Sequence, residues 1–514
     1  MNVAQALYEA VIQFPERQAL SDGQVTLTYQ EFHQRSLAVA RFLQKSGMQP
    51  GDRLASWLPN VTEAMVLAYA TWWVGAVFVP LNTRWSVTEL ADVLADAKPQ
   101  FLAILDQDRE RIIGAHLDIP IIEVGDGPAQ PQNVRTIVER FHAPAAPLPL
   151  APRRDDQAAL LMYTSGTTGR PKGVIQTHRN NSAAIAMVHE SWQITHRDRF
   201  LTAVPLFHVG GMQCAALPGL TAGAQVTLVP GWSAAGWLNI AAATRPTITG
   251  LVTTMLVDLI RWAETGGGRQ PNLDSLRVAA MGGSPTPPAI VEKFRQVFGV
   301  KLTELYGQTE LTGLSVTYRA DEDWRPGSMG RAQSQVLDSA LYLEGRAISP
   351  PPPNAIGELL FRGETISPGY WGQSELTDAR RIDGWFRTGD IVSIDNEGYL
   401  FYRDRVDDMI VSGGENIYPA EVEAALSEIP GISQVAVIGT PHPRWGQQVT
   451  ALVVADNPEL TADDILAHIE QRHSLSAYKR PRRIDMVSSL PRTGSGKVNK
   501  VQLKQQYSAT EDKR

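Results

Sequence analysis

One stretch constrains this chain more than any other: Tyr163-Thr-Ser-Gly-Thr-Thr-Gly-Arg-Pro-Lys-Gly-Val174, which sets four Ser/Thr hydroxyls, three glycines and Lys172 into twelve residues. The apolar run 158–162 leading into it predicts a buried strand, and the stretch cannot continue that strand. Glycines let successive backbone N–H groups turn toward one anion, hydroxyls add donors, and the lysine adds charge, so the chemistry suits a polyphosphate. The widespread phosphate loop places Ser or Thr after its lysine to hold magnesium. Here Gly173 follows Lys172, so the loop is of another kind. A Gly/Ser/Thr tract standing alone reads equally well as a solvated turn, so the remaining chain has to decide.

At 514 residues the chain exceeds one ordinary core, and two or more domains are expected. With 43% hydrophobic and 20% charged residues it is globular in composition. A net charge of -7 and a pI near 5.9 argue against a nucleic-acid partner. Cys214 is the only cysteine, which excludes intrachain disulfides and cysteine-based zinc sites and fits a cytoplasmic location. Residues 1–18 lack a basic start followed by an apolar core, so no signal peptide is expected. The apolar run from Ala64, with Trp72, Trp73 and Gly75, meets Pro80 where a spanning helix would have to continue. It reads as a buried helix and then a strand at 76–79, with no transmembrane segment.

Helical spacing over 4–13 and 28–46 opens an alternation of helices with short apolar strands that continues for some 400 residues, the pattern of layered α/β structure. The proline-rich segment 144–152 reads as an exposed link entering the strand before the loop. Four further strings stand at predicted strand ends or turns. Val204-Pro-Leu-Phe-His-Val-Gly-Gly-Met212 places His208 before two glycines in apolar surroundings. A strand over 276–280 ends in Met281-Gly-Gly-Ser-Pro285, and a helix follows to Phe298. A strand over 301–305 is followed by Tyr306-Gly-Gln-Thr-Glu310, offering an aromatic face, a hydroxyl and a hard carboxylate ligand. Gly384-Trp-Phe-Arg-Thr-Gly-Asp390 offers an acid able to accept hydrogen bonds from a ribose.

Beyond Asp404-Arg-Val-Asp-Asp408 the pattern becomes compact. A helix over 420–428, strands near 433–438 and 449–455, a helix over 461–473 and a strand over 483–487 describe a small α+β unit. Thr461 with Asp464 resembles a capping box. The unit ends in Pro491-Arg-Thr-Gly-Ser-Gly-Lys-Val-Asn-Lys500, with Lys497 flanked by Gly494 and Gly496.

Together these strings, in this order, resemble the adenylate-forming superfamily in its acyl-CoA synthetase and aryl-CoA ligase branch. The resemblance covers essentially the whole chain. It implies an α/β fold: a large N-terminal AMP-binding domain of layered α/β subdomains, 1–404, a hinge at 405–407 pivoting on Asp407, and a small mobile α+β domain, 408–514. Many members carry Gly where Asp404 stands, but the arginine that follows is present as Arg405.

The implied reaction has two steps. A carboxylate attacks the α-phosphate of ATP to give an acyl-adenylate and pyrophosphate; the thiol of coenzyme A then takes the acyl group and AMP leaves. Catalytic residues carried over are Lys497, His208, Thr309 and Glu310, with Glu310 the Mg2+ ligand. ATP would be held by Thr164, Ser165, Gly166, Thr167, Thr168, Gly169, Lys172, Gly283, Ser284, Tyr306, Gly307, Gln308, Asp390 and Arg405. Gly413 and Gly414 would approach the site in the second step, and Trp445, Tyr478 and Arg480 would meet the coenzyme A nucleotide.

The acid would lie near Val209, Gly211, Met212, Met281 and Gly282. No arginine occurs beside them, so the acid is expected to be an apolar monocarboxylate. A medium- or long-chain fatty acid is favoured, and an aryl acid such as benzoate, 4-coumarate or ferulate is the alternative. A stand-alone enzyme loading a carrier protein is a further alternative, although with 17 residues after Lys497 no attached carrier domain is expected. Amino-acid-activating relatives carry Asp where His208 stands, which argues against that substrate class. A non-catalytic nucleotide-binding scaffold would have no use for Lys497 or Glu310. The resemblance leaves room for a homodimer.

Overall fold

The computed structural model describes residues 2–113, 119–125, 133–141, 148–151, 154–164, 171–266, 272–332, 336–412, 415–472, 475–492 and 497–508. The chain divides into two compact units. The first comprises 1–166, 170–339 and 361–386; the second comprises 167–169, 340–360 and 387–514.

The first unit is built on two sheets. Across the nine-stranded sheet the order is Arg331–Ala332, Gly313–Thr317, Leu302–Gln308, Val278–Gly282, Ile248–Leu251, Arg199–Thr202, Gln225–Leu228, Gln18–Ser21 and Thr26–Thr28. Its six central strands, from Leu302–Gln308 to Gln18–Ser21, are parallel. Across the seven-stranded sheet the order is Gly369–Tyr370, Lys172–Thr177, Ala158–Thr164, Val77–Pro80, Arg53–Trp57, Phe101–Leu105 and Ile121–Val124.

Period-two burial shows how these sheets stack. Leu54, Phe101, Ala103, Leu160 and Met162 enter the largest core cluster, whereas Ala55, Leu102, Ile104, Leu161 and Tyr163 face a separate one with the helix Val87–Ala97. The nine-stranded sheet alternates likewise: Phe200, Ile248 and Ala280 join the large cluster, and Leu201, Leu251 and Met281 join a third. Helices Val3–Gln13, Tyr29–Lys45, Thr62–Trp73 and His178–Ser191 fill the large cluster between the sheets. Helices Ala234–Thr244, Thr253–Glu264 and Pro288–Phe298 cover the far face of the nine-stranded sheet. The result is five alternating helix and sheet layers, which explains why the strands read as apolar runs without a polar face.

Most expected elements appear with ends moved by one to three residues. The strand before the loop runs Ala158–Thr164, and the run from Ala64 becomes the buried helix Thr62–Trp73 and the strand Val77–Pro80. The expected link 144–152 lies mostly outside the described residues.

In the second unit, Gly446–Ala455 pairs antiparallel with Ile432–His442, parallel with Arg483–Met486, and through Gly446 with Ile410–Ser412, which pairs in turn with Glu415–Ile417. Helices Pro419–Ser427 and Ala462–Arg472 bury Val422, Leu426, Ile465 and Ile469 against it. The Thr461–Asp464 capping box is formed: the Asp464 amide donates to Thr461 Oγ1 at 3.2 Å and the Thr461 amide to Asp464 Oδ2 at 3.0 Å.

Candidate active site

Four parallel strands of the nine-stranded sheet deliver candidate residues at the same edge. Arg199–Thr202 runs into the His208 loop, Ile248–Leu251 into Thr253, Val278–Gly282 into Gly283 and Ser284, and Leu302–Gln308 into Thr309 and Glu310. The chain order reverses direction between Arg199–Thr202 and Ile248–Leu251, and open α/β sheets bind ligands beyond the carboxyl ends of strands at such a point.

The His208 loop is fastened by a residue that carried no motif. Asn60, buried at the end of the strand Arg53–Trp57, donates to the Val204 carbonyl at 3.0 Å and accepts from the Leu206 amide at 2.9 Å. His208 then precedes a short helix, Val209–Gly211, and its carbonyl accepts from the Gly211 and Met212 amides at 3.0 Å. A Cβ on Gly211 would overlap the Pro205 carbonyl, so this turn admits only glycine. Residues Met212–Ala216 continue as a π-turn. Met212 and Met281 are both fully buried but pack into different core clusters, on opposite faces of the sheet.

Gly307 has the same kind of explanation. It sits at a register shift between Leu302–Gln308 and Gly313–Thr317, where any Cβ would overlap the Gly313 carbonyl. Beside it, Gln308 Nε2 donates to the Tyr306 hydroxyl at 3.3 Å. Ser284 lies 3.3 Å from the Thr253 hydroxyl, which also meets Thr286 at 2.8 Å. Glu310 is gripped twice: the Tyr370 hydroxyl donates to its Oε1 at 2.8 Å, and the Ser367 amide to its carbonyl at 2.8 Å.

The polyphosphate stretch joins two antiparallel strands, with Thr164 opposite Lys172 and Tyr163 opposite Gly173. Ser165, Gly166, Thr167, Thr168 and Gly169 lie outside the described residues. The strand pair is fixed from both sides. The Tyr163 hydroxyl donates to Asp96, and the Trp371 amide donates to the Gly173 carbonyl at 2.7 Å. Among the described residues no group of three or more His, Cys, Asp or Glu side chains could enclose a metal.

In the second unit Asp390 stands opposite Arg405 across an antiparallel pair, and their side chains form an ion pair at 3.0 Å. The expected turn at this string is instead part of the strand Trp385–Ile394, which pairs Asp390 with Arg405; Glu358 holds it by pairing with Arg387 at 2.6 Å and accepting from the Gly389 amide at 3.0 Å. Asp404 is buried; it accepts from the Ala420 amide at 2.8 Å, and burial pushes its carboxyl up to about 6 against the pull of Lys500. Lys500 pairs with Glu423 at 2.7 Å. Lys504 donates to the Asp407 carbonyl at 2.9 Å and to Asp408 at 2.8 Å, so the helix Lys500–Ser508 is fastened to the expected hinge.

Lys497 is exposed, while 493–496 and the pair Gly413–Gly414 lie outside the described residues. The Trp445 ring lies against two guanidinium groups, Arg444 at 4.6 Å and Arg482 at 4.7 Å. Tyr478 is exposed, and Arg480 is paired with Glu470 at 3.1 Å.

Comparison with known proteins matches most of the chain to one family. Residues 7–371 match the AMP-binding enzyme family, and residues 421–497 match the AMP-binding enzyme C-terminal domain. A feruloyl-CoA synthase of an Amycolatopsis species is 36% identical over 502 residues, covering 96% of each chain. The long-chain-fatty-acid–CoA ligase FadD13 of Mycobacterium tuberculosis is 33% identical over 494 residues, covering 95% of this chain and 94% of its own. The crystal structure of ATP-bound MatB from Rhodopseudomonas palustris superimposes with a TM-score of 0.88 at 28% identity, covering 99% of each chain. The chain belongs to the AMP-binding enzyme family, in its branch of AMP-forming acyl- and aryl-CoA ligases.

Proposed function

We propose that the acid activated by this ATP-dependent acid–CoA ligase is an apolar monocarboxylate, with a medium- or long-chain fatty acid favoured over an aryl acid such as benzoate, 4-coumarate or ferulate. One observation carries the reading. Across 203–231, the segment that forms the gate and its helix, there is no Asp, Glu, Lys or Arg, and across 278–291 there is none either. A second carboxylate in these surroundings would be buried without a partner, at a cost on the order of several kcal/mol. Relatives named for a long-chain fatty acid and for a feruloyl group are both compatible with it.

The residue roles follow from the chemistry of each step. Adenylation concentrates negative charge, so fixed cations and N–H donors supply most of the stabilisation. Thr164, Lys172 and the residues between them take the β- and γ-phosphates. Tyr306 stacks on adenine, Thr309 bonds a phosphate, and Asp390, oriented by Arg405, accepts from the ribose hydroxyls. His208 gates the acid, and Lys497 takes the charge shared by the attacking carboxylate and the α-phosphate. Glu310 fits a Mg2+ ligand: it is a hard oxygen donor oriented by Tyr370, and Mg2+ in such sites takes one or two carboxylates and completes its shell with phosphate oxygens and water. When bound, the ion would neutralise phosphate charge.

We further infer that 1–404 and 408–514 alternate about Asp407 between the two half-reactions. Gly413 and Gly414 serve the second, and Trp445, Tyr478 and Arg480 meet coenzyme A. Among the described residues no helix is long and apolar enough to cross a membrane; a cytoplasmic location and a homodimer are part of the same proposal.

Acid-dependent pyrophosphate exchange, followed by AMP release that requires coenzyme A, tests this reading. Exchange without coenzyme A-dependent AMP release would indicate a carrier-protein-loading enzyme, and no exchange would indicate a scaffold.

A further inference from the structure

Three amide side chains beneath the strand ends are fully buried: Gln176 on Lys172–Thr177, Asn181 on His178–Ser191 and Gln213 on the π-turn Met212–Ala216. Their hydrogen bonds run in one direction. Gln213 Nε2 donates to Gln176 Oε1 at 2.6 Å and to Asn181 Oδ1 at 3.2 Å. Gln176 Nε2 donates to the Thr309 carbonyl at 2.9 Å, and Asn181 Nδ2 to the Thr177 carbonyl at 2.8 Å. Two backbone carbonyls, which can only accept, therefore fix the orientation of Gln176 and Asn181, and these in turn fix Gln213.

This arrangement leaves Gln213 Oε1 buried with no hydrogen-bond partner among the described residues. An unsatisfied buried oxygen lowers stability, and it offsets part of what the network's four hydrogen bonds contribute. The two ends of the network suggest what it does besides holding the core. One end is the helix that follows His208; the other is the turn Thr309–Leu311 that carries Glu310. The same strand also holds that turn indirectly, because Ser367 donates through its hydroxyl to the Ile175 carbonyl at 2.6 Å and through its amide to the Glu310 carbonyl. π-Turns within helices recur at functional sites, and this one places Gln213 where it reaches both partners.

We propose that Gln213 and Gln176 are positioning residues that tie the acid gate to the Thr309–Glu310 turn, so that a bound acid raises the affinity for ATP with Mg2+ and a bound nucleotide raises the affinity for the acid. The proposal rests on the acid–CoA ligase reading of the site. Thermodynamic linkage requires the two effects to be equal.

The test compares wild type with Gln213→Met, Gln176→Met and the double variant, since methionine keeps the length and removes the amide. In the full-length enzyme, pyrophosphate exchange with octanoate gives kcat and both KM values, and equilibrium binding gives the ATP affinity with and without octanoate. Each single variant is expected to melt no lower than wild type by more than a few degrees. Each should lose at least ten-fold in kcat/KM for adenylation, and the acid should no longer change its affinity for ATP. Thioester formation from supplied octanoyl-adenylate should stay within two-fold of wild type, and the double variant should be no worse than either single one. Unchanged adenylation kinetics and unchanged ATP affinity in a folded variant would overturn the inference, as would losses that simply add. If Gln213→Met fails to fold, Gln176→Met breaks the same link. Failure of wild type to exchange pyrophosphate with any acid would instead overturn the reading of the site itself.

Discussion

Replacing Glu304 by glutamine probes a carboxyl that the strand carrying Tyr306 holds in the core. Glu304 is 7% exposed and faces the same side of the sheet as Leu302. Burial pushes its pKa from the ordinary 4.5 up to about 8, and the Trp324 indole N–H, whose geometry falls short of a regular hydrogen bond, offsets only part of the rise. Because the folded value lies above the unfolded one, the stabilising contribution of the protonated carboxyl is complete below the unfolded value and is lost as pH rises through about 8. At about 1.4 kcal/mol per unit, and allowing for the curvature near the folded value, wild type should lose about 2 kcal/mol from this group between pH 6 and pH 8. Glutamine does not titrate. Urea unfolding of both proteins, followed by tryptophan fluorescence at several pH values, should show Glu304→Gln gaining on wild type by about that amount across the interval. Parallel profiles would refute the reasoning, because they would mean that water or a cation reaches Glu304 and holds its pKa in the usual carboxylate range.

Lys497→Ala should slow acyl-adenylate formation on the order of 100- to 1,000-fold while leaving thioester formation from supplied acyl-adenylate nearly untouched, which single-turnover assays of the two half-reactions will read. Asp407→Pro fixes φ and removes a backbone donor. Adenylation should survive and the thioester step fail, whereas a variant with both steps intact would place the pivot elsewhere. Gly307→Ala should cost roughly 1–3 kcal/mol of stability and weaken ATP binding, since the added Cβ meets the Gly313 carbonyl; thermal melting and titration with ATP check both effects.

What the sequence disclosed and what it withheld divide along one physical line. Most of the motifs were legible because each is a local string at or beyond the end of a single element: the stretch after Ala158–Thr164, the turn after Leu302–Gln308, the loop after Arg199–Thr202. The C-terminal elements were legible for the same reason, each helix or strand having its own period and the helix Ala462–Arg472 its own capping box. Asn60, Glu358, Tyr370, Gln176 and Gln213 carried no signal, because their partners lie far away in sequence and nothing in their own neighbourhood marks them. Asn60, for example, holds Val204 and Leu206 across more than 140 residues. The pairing of Asp390 with Arg405 was hidden in a similar way: both residues were singled out as nucleotide contacts, but only the strand register brings them face to face. Met212 and Met281 show a different limit. Two methionines beside glycines read alike in sequence, but Met212 lies on the π-turn and Met281 on the strand Val278–Gly282, and their side chains enter separate clusters.

Acid selectivity is the property that the apolar segments beside His208 and Met281 determine most directly. Initial rates of coenzyme A-dependent AMP formation give kcat/KM for octanoate, benzoate, 4-coumarate and malonate under identical conditions. An apolar gate without a lysine or arginine predicts that octanoate leads, that an aryl acid comes next, and that malonate is the poorest of the four by at least 100-fold, roughly the price of one unpaired buried carboxylate. If malonate were the best substrate, the site would have to hold a lysine or arginine that the segments 203–231 and 278–291 do not contain, and the assignment of the acid site to those segments would be wrong.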